Sequence, residues 1–323
     1  MKFRLDPQLI GPLVALALVT LIVALTSARF LDPGNLANLS LQASIVALIA
    51  VGSTIVIFTG GIDLSSGSMV ALLTMILAVV IRDLGFPLEL ALVVVLAAGT
   101  IIGAFNGIVS AYLRIPSFIT TLSGLIAFRG MALLFNNGSP IFSLDPRLEP
   151  LFYGSIAGIP LPFVYIVVFY AIASVFMSRT RTGREIYAVG GNASAARLSG
   201  IKVQRIQTIA FLIAGFMTAV GSILMAARLN SGSPNYGQTM ELQAIAAAVV
   251  GGASLTGGRG NVLATLAGSF LIVVVQNGLN LNAVPSSIQN IILGAIILLA
   301  VGVDMWRPEL SRRVSGLFGR KGG

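Results

Sequence analysis

Few side chains in this sequence can do chemistry, and those that can gather at glycine-rich interruptions of long apolar runs. The first interruption is Thr59-Gly60-Gly61-Ile62-Asp63-Leu64-Ser65-Ser66-Gly67-Ser68. Paired glycines break a helix, and Asp63, Ser65 and Ser66 are good N-cap types for a helix that follows. One reading is a capped turn at a membrane surface. The other places the break below that surface, lining a polar cavity, because the apolar run after it is short. An acid at that depth is a functional candidate by default. Gly103-Ala104-Phe105-Asn106-Gly107 interrupts a later run; its small residues let helices approach, and Asn106 can hydrogen-bond a neighbouring helix or a solute. Asn277, Asn280 and Asn282 cluster at one end of another run, where they can meet a polar solute or cap the helix end. Gly251 to Gly260 reads as a tight turn with one anchoring residue, Arg259.

This inventory suits hydrogen bonding to a polar solute better than catalysis. The chain has no cysteine and no histidine, which excludes disulfides, thiol nucleophiles, zinc sites and imidazole acid–base chemistry. A Ser–Lys dyad fails because Lys2, Lys202 and Lys321 are all peripheral. The pattern GxxxxGK[ST] is absent, so this chain is expected to bind no nucleotide by that route and no other cofactor or metal. Energy for any work must then come from an ion gradient or from a partner. An ion-coupled carrier needs titratable residues in its spans, and Asp63 is nearly alone.

The elements that must hold these residues are membrane spans. Of 323 residues 56% are hydrophobic and 10% charged, and mean hydropathy is +0.96. Soluble domains are roughly a quarter charged, so the sequence predicts an all-α polytopic membrane protein, a single transmembrane domain over 1–323. At roughly 20 apolar residues per span, hydropathy gives about ten, near 9–27, 39–58, 67–81, 89–112, 117–136, 161–177, 206–227, 243–256, 261–281 and 287–304. The first is read as an uncleaved helix that starts inside. Net charge is +9, and this path puts most Lys and Arg inside, with both termini cytoplasmic. The basic balance therefore implies a lipid bilayer with anionic headgroups rather than nucleic acid.

One basic stretch is too long for a turn. Arg179 to Arg205 carries six basic residues against a single acid, Glu185. Ser194–Ser199 can form a short helix, preceded by a flexible Gly190-Gly191-Asn192 and closed by Gly200. Ala193, Ala195, Ala196 and Leu198 offer a small apolar surface, and Arg184 and Arg197 can pair with an acidic rim. The segment over 178–205 is either a cytoplasmic docking surface for a partner or a solvated loop that only sets topology.

Longer stretches resemble a known family. VGSTIVIFTGGIDLSSGSMVAL, GAFNGIVSAYLRIPSFITTLSGL, GREIYAVGGNASAARLSGI, ELQAIAAAVVGGASLTGGRG and QNGLNLNAV resemble, in order, the signatures of ribose-permease-type subunits of bacterial ABC sugar importers. Ser53 stands where a Met is common, Ser66 where a Val is usual and Gln243 where an Asp is usual. The resemblance implies a multi-pass permease of the bacterial inner membrane that pairs with a second copy of itself or a close paralogue. It further implies a monosaccharide delivered by a periplasmic sugar-binding protein, and ATP consumed by a separate cytoplasmic ATPase. That ATPase would dock on Gly183, Arg184, Gly190, Gly191, Asn192, Ala195, Ala196, Arg197, Leu198 and Gly200. Nucleoside, branched-chain amino acid and autoinducer permeases are the near alternatives.

Overall fold

The computed structural model describes residues 7–318, and they are almost entirely helical. Lys2, Arg4, Arg320 and Lys321, which anchor the expected cytoplasmic termini, lie outside the described residues. The helices are α1 (Pro7–Thr26), α2 (Pro33–Phe58), α3 (Ser66–Arg82), α4 (Leu88–Tyr112), α5 (Ser117–Leu134), α6 (Glu149–Tyr153), α7 (Leu161–Arg179), α8 (Arg181–Gly191), α9 (Ala193–Leu198), α10 (Val203–Leu229), α11 (Met240–Val250), α12 (Val262–Leu281) and α13 (Ser286–Phe318). Four two-residue strands, β1 (Ile141–Phe142), β2 (Ser155–Ile156), β3 (Ile159–Pro160) and β4 (Ser231–Gly232), form antiparallel pairs β1–β4 and β2–β3.

Among the described residues, eight helices are long and apolar enough to cross a membrane, which makes the chain an all-α multi-pass membrane protein. Two apolar helices are shorter. α3 has 17 residues and α11 has 11. At 1.5 Å per residue α11 is about 16 Å long, roughly half the hydrocarbon thickness of a bilayer. The expected span over 243–256 is therefore corrected: the helix starts at Met240, stops at Val250, and yields to a loop.

α2 is the central post. Every residue from Ala43 to Phe58 is buried, which explains its apolar character on all sides. α10 packs against it and against α4. On the α4 face, Gly99, Gly103 and Gly107 meet α10; a β-carbon at Gly103 would overlap the Phe211 carbonyl. The small-residue reading of that stretch holds, and the neighbour is α10. Tyr170 Oη donates to Ala47 O at 2.9 Å, tying α7 to α2. Thr54 and Thr265 hydroxyls, 3.0 Å apart, tie α2 to α12. α1 and α13 are peripheral and expose Leu18, Leu25, Ile291 and Leu298, as lipid-facing helices do.

The basic stretch is more ordered than its glycines suggest. Gly190 and Gly191 are the last two residues of α8, not a flexible lead-in. The short helix appears one residue early, as α9, with Asn192 Oδ1 accepting from Ala195 N at 2.9 Å. Gly200, at φ +83°, ends it.

Candidate functional site

The chain leaves α2 at Phe58 and does not regain helix until Ser66. Irregular backbone inside a membrane protein needs partners for its polar groups, and α5 supplies them. Ile62 N donates to Ser117 Oγ at 3.1 Å, and Leu64 N donates to Thr121 Oγ1 at 3.1 Å. Asp63 is buried within the protein, 3% exposed. Its Oδ1 accepts from Ser65 N at 2.8 Å and from Ser65 Oγ at 2.6 Å. Asn106 Nδ2 then donates to Ser65 Oγ at 2.9 Å. Asp63, Ser65 and Asn106 thus form one buried chain across α3 and α4. The hydroxyls of Ser66 and Thr120 and the Oδ1 of Asn106 are buried without a partner. Leaving such groups unpaired costs about 1–3 kcal/mol each, which suits them to water or to solute hydroxyls.

A second interruption escaped the sequence reading. Between α10 and α11, residues 230–239 run as non-helical chain alongside α3. A β-carbon on Gly232 would overlap the Thr74 carbonyl, and one on Gly237 would overlap the Gly67 carbonyl, so the two backbones touch along two turns of α3. Arg129 of α5 holds this segment by donating to the carbonyls of Pro234 and Tyr236, the latter at 2.8 Å. Glu241, in the first turn of α11, rests against Gly67 in the first turn of α3, where a β-carbon would overlap its Oε2. The amide end of α3 favours a carboxylate there. Gly232, Pro234 and Gly237 were the available signal, since a proline and two glycines argue against continuous helix.

One cavity adjoins the start of α11 and a second adjoins the break; the orientation expected from charge would put the first outside and the second inside. The outer one, about 290 Å³, is lined by Gln42, Arg228, Asn235, Gln238, Gln243 and Gln276, with Gly237 and Met240 beside them. Its polar lining is amide-rich, holds a single Arg and has no carboxylate. Of these, Gln243 is among the residues singled out from the sequence. The inner cavity, about 540 Å³, lies between the break and the basic segment, lined by Thr59, Gly60, Gly61, Arg114, Ser117 and Arg197. After α10, β4 pairs with β1, and Asn230 Oδ1 accepts from Leu144 N and Asp145 N at 3.1 and 3.2 Å. In that loop, hydrogen bonds from Arg147 hold the Asp145 carboxyl below its ordinary value.

Asn277 and Asn280 are not brought to Asp63. Asn277 exchanges two hydrogen bonds with Asn35, at 2.8 and 3.0 Å, at the opposite end of α2 from the break. Asn280 Oδ1 accepts from Gln289 Nε2 at 2.8 Å. In the basic segment, Arg184, Asn192, Ala195, Arg197, Leu198 and Gly200 are exposed, whereas Gly183 and Ala196 are buried and Gly190 is half-buried. Ala196 therefore faces this protein rather than a partner.

Among the described residues, eight apolar helices of spanning length and two shorter ones, whose first turns meet at Gly67 and Glu241, make up the fold of a multi-pass membrane protein. The protein-family model for the permease component of the branched-chain amino acid transport system matches residues 35–301, and the chain belongs to that family. It is the transmembrane subunit of an ABC transport system and not an enzyme. It is similar to the ribose import permease protein RbsC of Bacillus subtilis (strain 168), 39% identical over 299 residues, covering 92% of this chain and 92% of the relative. RbsC of Escherichia coli (strain K12) is 40% identical over 296 residues, covering 90% and 92%. The xylose transport system permease protein XylH of the same strain is 35% identical over 341 residues, covering 86% of each chain. No solved structure matches this chain.

Proposed function

We propose that this permease imports a neutral monosaccharide across the bacterial inner membrane. A periplasmic binding protein delivers the sugar to the outer face, and a cytoplasmic ATPase, which binds and hydrolyses the ATP, docks on residues 178–205. The whole chain acts as one transmembrane domain of ten crossings, eight by full-length helices and two by α3 and α11 together with the non-helical chain that precedes each, with both termini cytoplasmic, working beside a second permease copy or a close paralogue. The observation that carries the sugar reading is the outer cavity. Amides both donate and accept, as sugar hydroxyls do, and about 290 Å³ suits a small solute. A cationic or zwitterionic solute would leave its ammonium unpaired there, since no carboxylate lines the cavity. Relatives named for ribose and xylose transport support the same class.

In this reading Asp63, Ser65, Ser66 and Asn106, joined by Thr120 and Glu241, line the step between the two cavities. The unpaired hydroxyls there meet the sugar in passage. Asn277 and Asn280 brace the outer ends of α2 and α12 beside the entrance. Uptake of labelled ribose or xylose should be measured in cells expressing this chain with its ATPase and binding protein. Competition by unlabelled pentoses and indifference to leucine and adenosine are expected. Competition by leucine or adenosine alone would replace the sugar reading.

A further inference from the structure

Three stretches of backbone meet at the inner end of the molecule with no side chain between them. They are the end of α2 with the break after it, the end of α8, and the loop after α11. A β-carbon on Gly190 would overlap the Phe58 carbonyl and stand 2.5 Å from Gly258 N. One on Gly257 would stand 2.7 Å from Gly60 N, and one on Gly258 2.6 Å from Gly191 Cα. Gly258 N donates to Phe58 O at 3.0 Å, so the α11 loop is hydrogen-bonded to the last turn of α2. Gly60, Gly257 and Gly258 have φ of +80°, +85° and +72°, which side chains rarely adopt. Tyr187 closes the junction on the α8 side. Its ring lies 4.8 Å from that of Phe58, and its hydroxyl donates to Gly260 O at 3.0 Å.

What converges here is significant. The α2 strand leads in five residues to Asp63 and then to α3. The α11 loop is the inner end of the half-helix whose other end carries Glu241. The α8 strand continues directly into α9, the exposed surface of the basic segment. Close-packed backbone transmits displacement because it has no soft side chain to absorb it.

We infer that the junction of Gly190, Gly257, Gly258 and Tyr187 positions both interrupted elements in response to the docked ATPase. These are positioning residues: they touch neither solute nor nucleotide. A push on α8–α9 moves the inner ends of the break and of α11 together, so the contact between Gly67 and Glu241 opens as one event. This rests on the reading that α8–α9 meets the ATPase.

The test uses the full complex in proteoliposomes, with xylose-loaded or ribose-loaded binding protein on the outside. Three quantities are read for Gly190→Ala, Gly258→Ala and Tyr187→Phe: ATPase co-purification, stimulated ATP hydrolysis, and pentose imported per ATP. Co-purification should match the unmodified complex, while pentose per ATP falls by about 2- to 30-fold. Gly294→Ala, on peripheral α13 with nothing within 4 Å of the added carbon, should leave all three unchanged. If the alanine variants fail to reach the membrane, Tyr187→Phe decides, since it removes one hydroxyl and keeps the ring. Unchanged pentose per ATP in every variant that assembles overturns the inference, as does a fall in import matched by an equal fall in hydrolysis. Failure of the unmodified permease to hold the ATPase through α8–α9 instead removes the reading beneath it.

Discussion

Arg129 is the clearest place to perturb the site. Its guanidinium donates to the carbonyls of Pro234 and Tyr236, which lie in non-helical chain beyond the short β4 pairing at Ser231–Gly232. Arg129→Met keeps much of the apolar stem and removes both donors. Charge-assisted hydrogen bonds are worth about 1.5–3 kcal/mol each, and two from one guanidinium are not additive, so the segment should lose about 2–4 kcal/mol of local stability. Local opening can be read at Ser233, which is 3% exposed, because the native chain has no cysteine to interfere. In a Ser233→Cys background, thiol labelling proceeds through opening, and its rate should rise roughly 30- to 1,000-fold on adding Arg129→Met. Pentose uptake should fall as the wall of the outer cavity loosens. An unchanged labelling rate would refute the reasoning and show that the backbone packing at Gly232 and Gly237 holds the segment alone.

Three other substitutions separate function from packing. Asp63→Asn keeps the Ser65 contacts sterically and should reach the membrane normally while uptake per molecule falls; unchanged uptake would return Asp63 to a purely structural role. Leu198, 91% exposed on α9, should tolerate Leu198→Asp in the fold while losing ATPase co-purification. Ala196→Trp, at a residue 5% exposed, should instead destabilise the permease itself by about 1–3 kcal/mol, seen as a lower melting temperature. Gly103→Val should force α4 from α10 and lower thermal stability by a similar 1–3 kcal/mol, whereas Gly130→Ala, with nothing within 4 Å, should not.

Spans, their order and the break at Gly60-Gly61 were legible because hydropathy and paired glycines are local signals. α9 was legible through Asn192 and Gly200 for the same reason. Other features depend on what lies across the molecule. Gly190 and Gly191 read as flexible in the chain, yet both lie in α8, and Gly190 is a glycine because Phe58 and Gly258 leave no room for a side chain. Ala196 read as docking surface from its apolarity, but periodicity cannot say which side of a six-residue helix faces inward. The run over 230–239 fell between expected spans, but its packing along α3 was hidden because it depends on partners as distant as Arg129 and β1. Glu241 drew no reading from the sequence, because its neighbour Gly67 lies far away in the chain. Asn106 was fairly read as a hydrogen-bonding residue, although its partner, Ser65, could not be named.

The most direct measurement is pentose uptake into proteoliposomes holding this permease and its ATPase, with the loaded binding protein outside. Accumulation that requires ATP on the ATPase side, requires the binding protein, and survives collapse of ion gradients by ionophores is the expected result. Uptake that continues without ATP and stops when the gradients are collapsed would contradict it and make the chain an ion-coupled carrier.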